Sequence, residues 1–162
     1  MSTDIAPSMV EVARKRGAEL GVSNVDYRVL DAQAMDLADA SFDGIIARWV
    51  FMLMPDPAAG FRECRRVVKP GGHLAFAVFT GPEDNPFAAL PSRVLREAGH
   101  LPPPSSEWQP GILALGPLVR ALPDAARNAV RATIDARLAS FTSAGGIVLP
   151  SRCWGGLAIR AA

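Results

Sequence analysis

Three polar side chains stand where an α/β sheet would present them to a ligand: Asp4, Asp31 and Arg48. Asp31 follows an alternating stretch at residues 25–30, Arg48 follows an apolar run at residues 42–47, and Asp4 precedes a helix opened by Pro7. In open α/β sheets, ligands bind at the carboxyl ends of the parallel strands. An ionised carboxylate placed there accepts from both hydroxyls of a ribose, so the three residues together point to a nucleoside-containing ligand. Each also has a plainer reading: Asp4 as a helix cap, Asp31 as a turn residue, Arg48 as a solvated charge or half of an ion pair. No His, Glu or Tyr occupies a position that marks a general base, so no catalytic residue is named. His73 opens a strand and His100 sits among prolines, and both read as incidental. Cys64 and Cys153 lack CxxC or Cys/His spacing, so neither a disulfide framework nor a metal site is expected.

The elements that must position these residues centre on residues 42–79. Residues 42–47 read as a strand buried on both faces. Asp56-Pro57 is a helix start, with a capping carboxylate and a proline whose missing N–H is not needed. Ala58, Phe61, Arg65 and Val68 recur at helical spacing, and Arg65, Arg66 and Lys69 suit the negative end of the helix dipole. Pro70-Gly71-Gly72 is expected to end the helix and turn the chain into a second apolar strand at residues 73–79. Two buried strands joined by a helix imply a parallel pair with a right-handed crossover. Upstream, Met9, Val10, Ala13, Gly17 and Leu20 trace one face of a helix that stops at Gly21. Trp49 to Met54 is bulky and apolar, and reads as core or as one wall of a pocket.

Seven of the fourteen prolines lie within residues 80–111. A short helix is expected over residues 88–98, and Pro102-Pro103-Pro104 reads as extended. This segment could be a lid over the strand ends or a plain surface connection. Asp124 opens a long helix with Val130, Ile134, Leu138 and Phe141 on one face, and residues 154–160 read as a final, antiparallel edge strand.

Composition narrows the function classes. The 162 residues are 49% hydrophobic and 20% charged, as in a globular protein. Seventeen basic residues face sixteen acidic ones, a net charge of +1, which argues against nucleic acid or an anionic membrane as partner. No stretch reaches transmembrane length, and a cytoplasmic location is expected.

The succession TDIAPSMVEVARKR, RVLDAQAM, SFDGIIARWVFMLMPD and RECRRVVKPGGHLAFAVF resembles the class I S-adenosylmethionine-dependent methyltransferases, nearest to the ubiquinone/menaquinone-biosynthesis type. The resemblance covers residues 3–86. It implies an α/β, Rossmann-like sheet with helices on both faces, S-adenosylmethionine as methyl donor with S-adenosylhomocysteine as product, and a small-molecule methyl acceptor. It gives Asp4 the ribose hydroxyls and sets Ile5 against the adenine. It sets Asp31 and the Ala32 backbone N–H against the adenine amino group and ring, with Gln33 beside them, and places Arg48 near the methionine part. Lys69 to Gly72 match a motif whose role is structural. A cofactor-side core over residues 1–79, a proline-rich connection over 80–111 and substrate-side helices with a terminal strand over 112–162 follow.

Family members carry a first strand and a glycine-rich loop before the position of Asp4. Another strand and helix lie near residues 117–122. Neither has a counterpart here, so the chain reads as a shortened, incomplete methyltransferase domain. The strand at residues 42–47 is then left with an open apolar edge that can pair with another copy. Three outcomes are consistent with this: weak cofactor binding with impaired methyl transfer, an inactive remnant, or an edge-pairing interaction module. A nicotinamide dehydrogenase is disfavoured because no G-x-G-x-x-G joins a strand to a helix, and a phosphate-binding NTPase because its Walker loop is missing.

Overall fold

The computed structural model describes residues 1–103 and 112–161. Two units are distinguished, residues 1–78 with 155–162, and residues 79–154.

The first unit opens with strand β1 (Ser2–Asp4), helix α1 (Pro7–Glu19) and strand β2 (Tyr27–Val29). β1 and β2 pair in parallel, with Ser2 opposite Tyr27 and Asp4 opposite Val29. Helix α1 packs on this pair through a stripe narrower than its sequence suggests. Val10 and Gly17 are buried, whereas Met9 and Leu20 are more than half exposed. Gly17 is small for a reason: a Cβ there would run into the Tyr27 hydroxyl. Leu20 caps the helix and Gly21 follows in the left-handed region at φ +70°.

Strand β3 (Phe42–Arg48), helix α2 (Pro57–Val67) and strand β4 (Val68–Phe79) form the expected crossover, with β3 and β4 parallel and Ile45 opposite Leu74. Strand β7 (Cys153–Ile159) completes a sheet of order β3-β4-β7. Asp56 caps α2 by accepting from the Ala59 N–H at 3.0 Å. Three expectations need correction here. Residues 42–47 are covered on one face only. Ile45 and Ala47 pack with Phe51, Cys64 and Leu74, while Ile46 is 88% exposed, because a strand's side chains alternate and α2 lies on one side. The fully buried residues of α2 are Gly60, Cys64 and Val67; of the expected face, Val68 is buried at the start of β4 and Phe61 stacks on Phe51, whereas Ala58 and Arg65 are exposed, so the period was right and the phase was off by about a residue. Finally, Pro70-Gly71-Gly72 does not end the helix. α2 stops at Val67, β4 begins at Val68, and the register slips from Phe42–Val68 to Gly44–His73, so Lys69 to Gly72 bulge out of β4. Gly71 has φ +78°, and a Cβ on Gly72 would sit 2.7 Å from the Asp43 carbonyl oxygen.

In the second unit, helices α3 (Pro86–Glu97), α4 (Ile112–Ala121) and α5 (Asp124–Leu138) surround a core of Leu90, Val94, Leu95, Leu115 and Val130. Ile134 and Leu138 pack against that core as expected, whereas Phe141 belongs to the 3-10 turn after α5. A helix over residues 112–121 was not anticipated. Pro104 and Pro110 lie outside the described residues. Asn85, 1% exposed, is a hub. Its amide donates to the Thr80 and Gly81 carbonyls and to the Thr80 hydroxyl, and its Oδ1 accepts from the Ser151 hydroxyl and the Arg152 N–H. A small hairpin, β5 (Thr142–Ser143) and β6 (Gly146–Ile147), follows α5.

Candidate functional site

Asp4 ends β1 and Asp31 lies two residues beyond the end of β2. Because the strands are parallel and adjacent, about 4.8 Å apart as sheet neighbours are, both carboxylates emerge at the same end of one sheet. The Leu30 N–H donates to the Asp4 carbonyl at 3.0 Å and so carries the pairing one step past β2. Each carboxylate shapes its own turn. Asp4 Oδ1 accepts from the Ala6 N–H at 2.8 Å, and Asp31 Oδ1 accepts from the Gln33 N–H, also at 2.8 Å. Among the described residues no donor reaches the second oxygen of either carboxylate, and both groups are only half-buried. Two acceptor oxygens at the end of a parallel pair can take hydroxyl or amino hydrogens from a ligand without giving up the turns.

Ile5 lies between the Asp4 turn and α1 and is 64% exposed, an apolar surface beside the carboxylates. Ala32 sits in the turn after Asp31 and is half-buried. Gln33 does more than its sequence position suggested. Its Nε2 donates to Asp31 Oδ1 at 3.3 Å and its Oε1 accepts from the Asp56 N–H at 2.9 Å, tying the loop after β2 to the start of α2. Five of the six sequence-derived residues therefore gather at one end of β1 and β2. Arg48 stands apart. It is exposed at the end of β3, in the other sheet of this unit, and among the described residues no hydrogen bond or ion pair joins it to the aspartates. After it, Trp49 adopts φ +62°, rare for a side chain of that size, while its N–H donates to the Ala77 carbonyl at 2.9 Å.

The charges next to this site are structural. Glu63 on α2 is held far below the usual carboxylate range, at about 2, first by hydrogen bonding from Arg66 and then by the Met35 N–H, against the opposing effect of burial. Burial pushes the Cys64 thiol up to about 11, so it is a protonated core residue at neutral pH. Two cavities in this unit lie elsewhere. One of about 300 Å³ is lined by Phe61, Cys64, Leu74 and Ile159 among others, and one of about 260 Å³ by Arg62, Arg65, Arg66, Arg160 and Asp39. No group of metal-ligating side chains occurs among the described residues.

Residues 1–76, which contain β1, α1, β2, β3, α2 and most of β4, match the methyltransferase domain family. Over those residues the chain is similar to class I methyltransferases. The family's cofactor is S-adenosylmethionine. The aklanonic acid methyltransferase DauC of Streptomyces sp. (strain C5) is 30% identical over 68% of this chain and 50% of its own length. A ubiquinone biosynthesis O-methyltransferase of Xanthomonas oryzae pv. oryzae (strain PXO99A) is 45% identical over 44% of this chain and 30% of its own. The chain thus spans half the length, or less, of these curated relatives. Among solved structures, the YcgJ protein from Bacillus subtilis matches 99% of this chain and 81% of its own, with a TM-score of 0.58 and 21% identity. A Bacillus halodurans C-125 protein matches 99% and 82%, with a TM-score of 0.59 and 19% identity. At those identities the likeness establishes the fold alone: an α/β, Rossmann-like architecture.

Proposed function

We propose that this chain binds S-adenosylmethionine at the ends of β1 and β2 and takes part in methyl transfer to a small-molecule acceptor in the cytoplasm. Asp4 takes the ribose hydroxyls, Ile5 lies against the adenine, Asp31 and the Ala32 N–H meet its amino group and ring, and Gln33 supports Asp31. Arg48 serves the methionine end. The observation that carries this reading is the pair of carboxylates at one end of adjacent parallel strands, each with one oxygen committed to a turn and one open. Bound there, the cofactor supplies an electrophilic methyl group on a sulfonium. The protein's contribution is alignment and exclusion of water. Calorimetry with S-adenosylmethionine and S-adenosylhomocysteine on the 162-residue chain tests it. Saturable binding that is lost in both Asp4→Ala and Asp31→Ala is expected, and a folded chain that binds neither ligand sinks the proposal.

A second reading has its own support. β3 pairs only with β4 among the described residues, and Ile46 on it is 88% exposed. An open, apolar strand of this kind joins readily to another copy, which makes the chain an edge-pairing module. Sedimentation of the Ile46→Lys variant separates this reading from the first.

A further inference from the structure

The stretch from Asp31 to Ser41 contains no helix or strand, yet one guanidinium on α2 holds most of it. Arg66 has five N–H donors and all five are engaged. Nε donates to Glu63 Oε1 at 2.9 Å. Nη1 donates to the Leu37 carbonyl and to Asp39 Oδ1, both at 2.6 Å. Nη2 donates to the Met35 carbonyl at 2.7 Å and to Glu63 Oε2 at 2.8 Å. Glu63 completes the clamp by accepting the Met35 N–H at 2.7 Å. The backbone of the same turn of α2 joins in, as the Ala40 N–H donates to the Arg66 carbonyl and the Ser41 N–H to that of Val67. At the other end of the loop, Gln33 bridges the Asp56 N–H to the Asp31 carboxylate.

Helix α2 therefore grips the loop at two points, Gln33 and Met35–Asp39, and Asp31 lies just before the first. We propose that Glu63 and Arg66 are positioning residues for Asp31: the pair fixes the loop so that the Asp31 carboxylate is held at the adenine amino group. This rests on the cofactor site proposed above and names a second layer behind it. The clamp requires the planar fork of arginine. A lysine ammonium has three donors on a flexible stem and cannot serve three loop acceptors and a bidentate carboxylate together. Isolated surface ion pairs have little effect, but here the arginine is 30% and the glutamate 20% exposed, and both are also bonded to loop backbone.

The test separates positioning from plain stability. S-adenosylhomocysteine and its 6-deaminated analogue, S-inosylhomocysteine, are titrated into wild type, Glu63→Gln, Arg66→Lys and Asp31→Ala, with folding checked by circular dichroism. Glu63→Gln keeps an acceptor for the Met35 N–H and so stays informative should Arg66→Lys fail to fold. The expected result is a fall of about tenfold in affinity for S-adenosylhomocysteine in the clamp variants, with affinity for the inosine analogue unchanged, because the amino contact is already missing there. Equal losses for both ligands, or no loss for either, overturn the positioning role. Retained binding in Glu63→Gln alongside loss in Asp31→Ala overturns it while leaving the cofactor site standing. A wild type that binds neither ligand removes both.

Discussion

Glu63 is the residue whose ionisation this structure perturbs most clearly in a testable range. Its carboxyl is lowered from an ordinary 4.5 to about 2, chiefly by Arg66. A depressed folded-state value means that the folded form binds the proton less readily than the unfolded chain does. The resulting stability is present in full above 4.5 and is lost as pH falls towards 2. Glu63→Gln is expected to cost roughly 1–3 kcal/mol at neutral pH, with the difference from wild type shrinking in acid. Urea unfolding at stepped pH measures it, and a difference that does not change with pH would count against an ionised clamp. Asp4 and Asp31 work in another way. They sit half-exposed, each with one oxygen accepting a backbone N–H of its own turn and one open among the described residues.

At the scale of elements, the bulge in β4 is the feature with the sharpest consequence. Lys69 to Gly72 stand opposite a single residue of β3, Asp43, and Lys69 Nζ reaches Asp43 Oδ1 at 2.7 Å. A methyl group at Gly72 would meet two backbone oxygens, those of Asp43 at 2.7 Å and Lys69 at 2.9 Å, neither of which a rotamer change can move. Gly72→Ala is expected to destabilise the chain by about 1–3 kcal/mol, read as a lower midpoint in chemical unfolding with an unchanged slope. Arg160 supports the same corner by donating through Nη1 to the carbonyls of Arg65, Arg66 and Val68, where α2 hands over to β4.

At the scale of the molecule, each unit carries its own apolar cluster: Phe51, Cys64 and Leu74 in the first, and Leu90, Val94 and Leu95 in the second. In the first unit the two sheets, β1-β2 and β3-β4-β7, are separate, and β1 and β3 each have only one partner strand among the described residues. Ile46, Leu157 and Ile159 are exposed on strands of the larger sheet. If the edge-pairing reading holds, sedimentation velocity will show a concentration-dependent shift to a dimer that Ile46→Lys abolishes without loss of secondary structure. A single slow species at every concentration would leave the cofactor-binding reading alone.

Much of this was legible in the sequence because it is local chemistry. Pro7 and Asp56-Pro57 mark helix starts by what a proline ring and a capping carboxylate can do in the first turn. The run at residues 42–47, the final strand and the aspartates after strands one and two follow from side-chain period and from where parallel strands expose their ends. What the tertiary structure decided is what depends on partners distant in the chain. Whether residues 42–47 are covered on one face or two is set by where α2 packs, and apolar composition is the same in either case. The glycines after Lys69 become a bulge rather than a turn because the pairing with β3 resumes beyond them. The sequence sets Gln33 beside Asp31 only through the resemblance and reads Arg66 only as a charge at a helix end; the partners that tie them to the loop and to α2 lie 23 to 31 residues away. The carboxylates at the ends of β1 and β2 could thus be placed from sequence, whereas the Glu63–Arg66 clamp on the loop after Asp31 arises only when a helix and a loop meet in space.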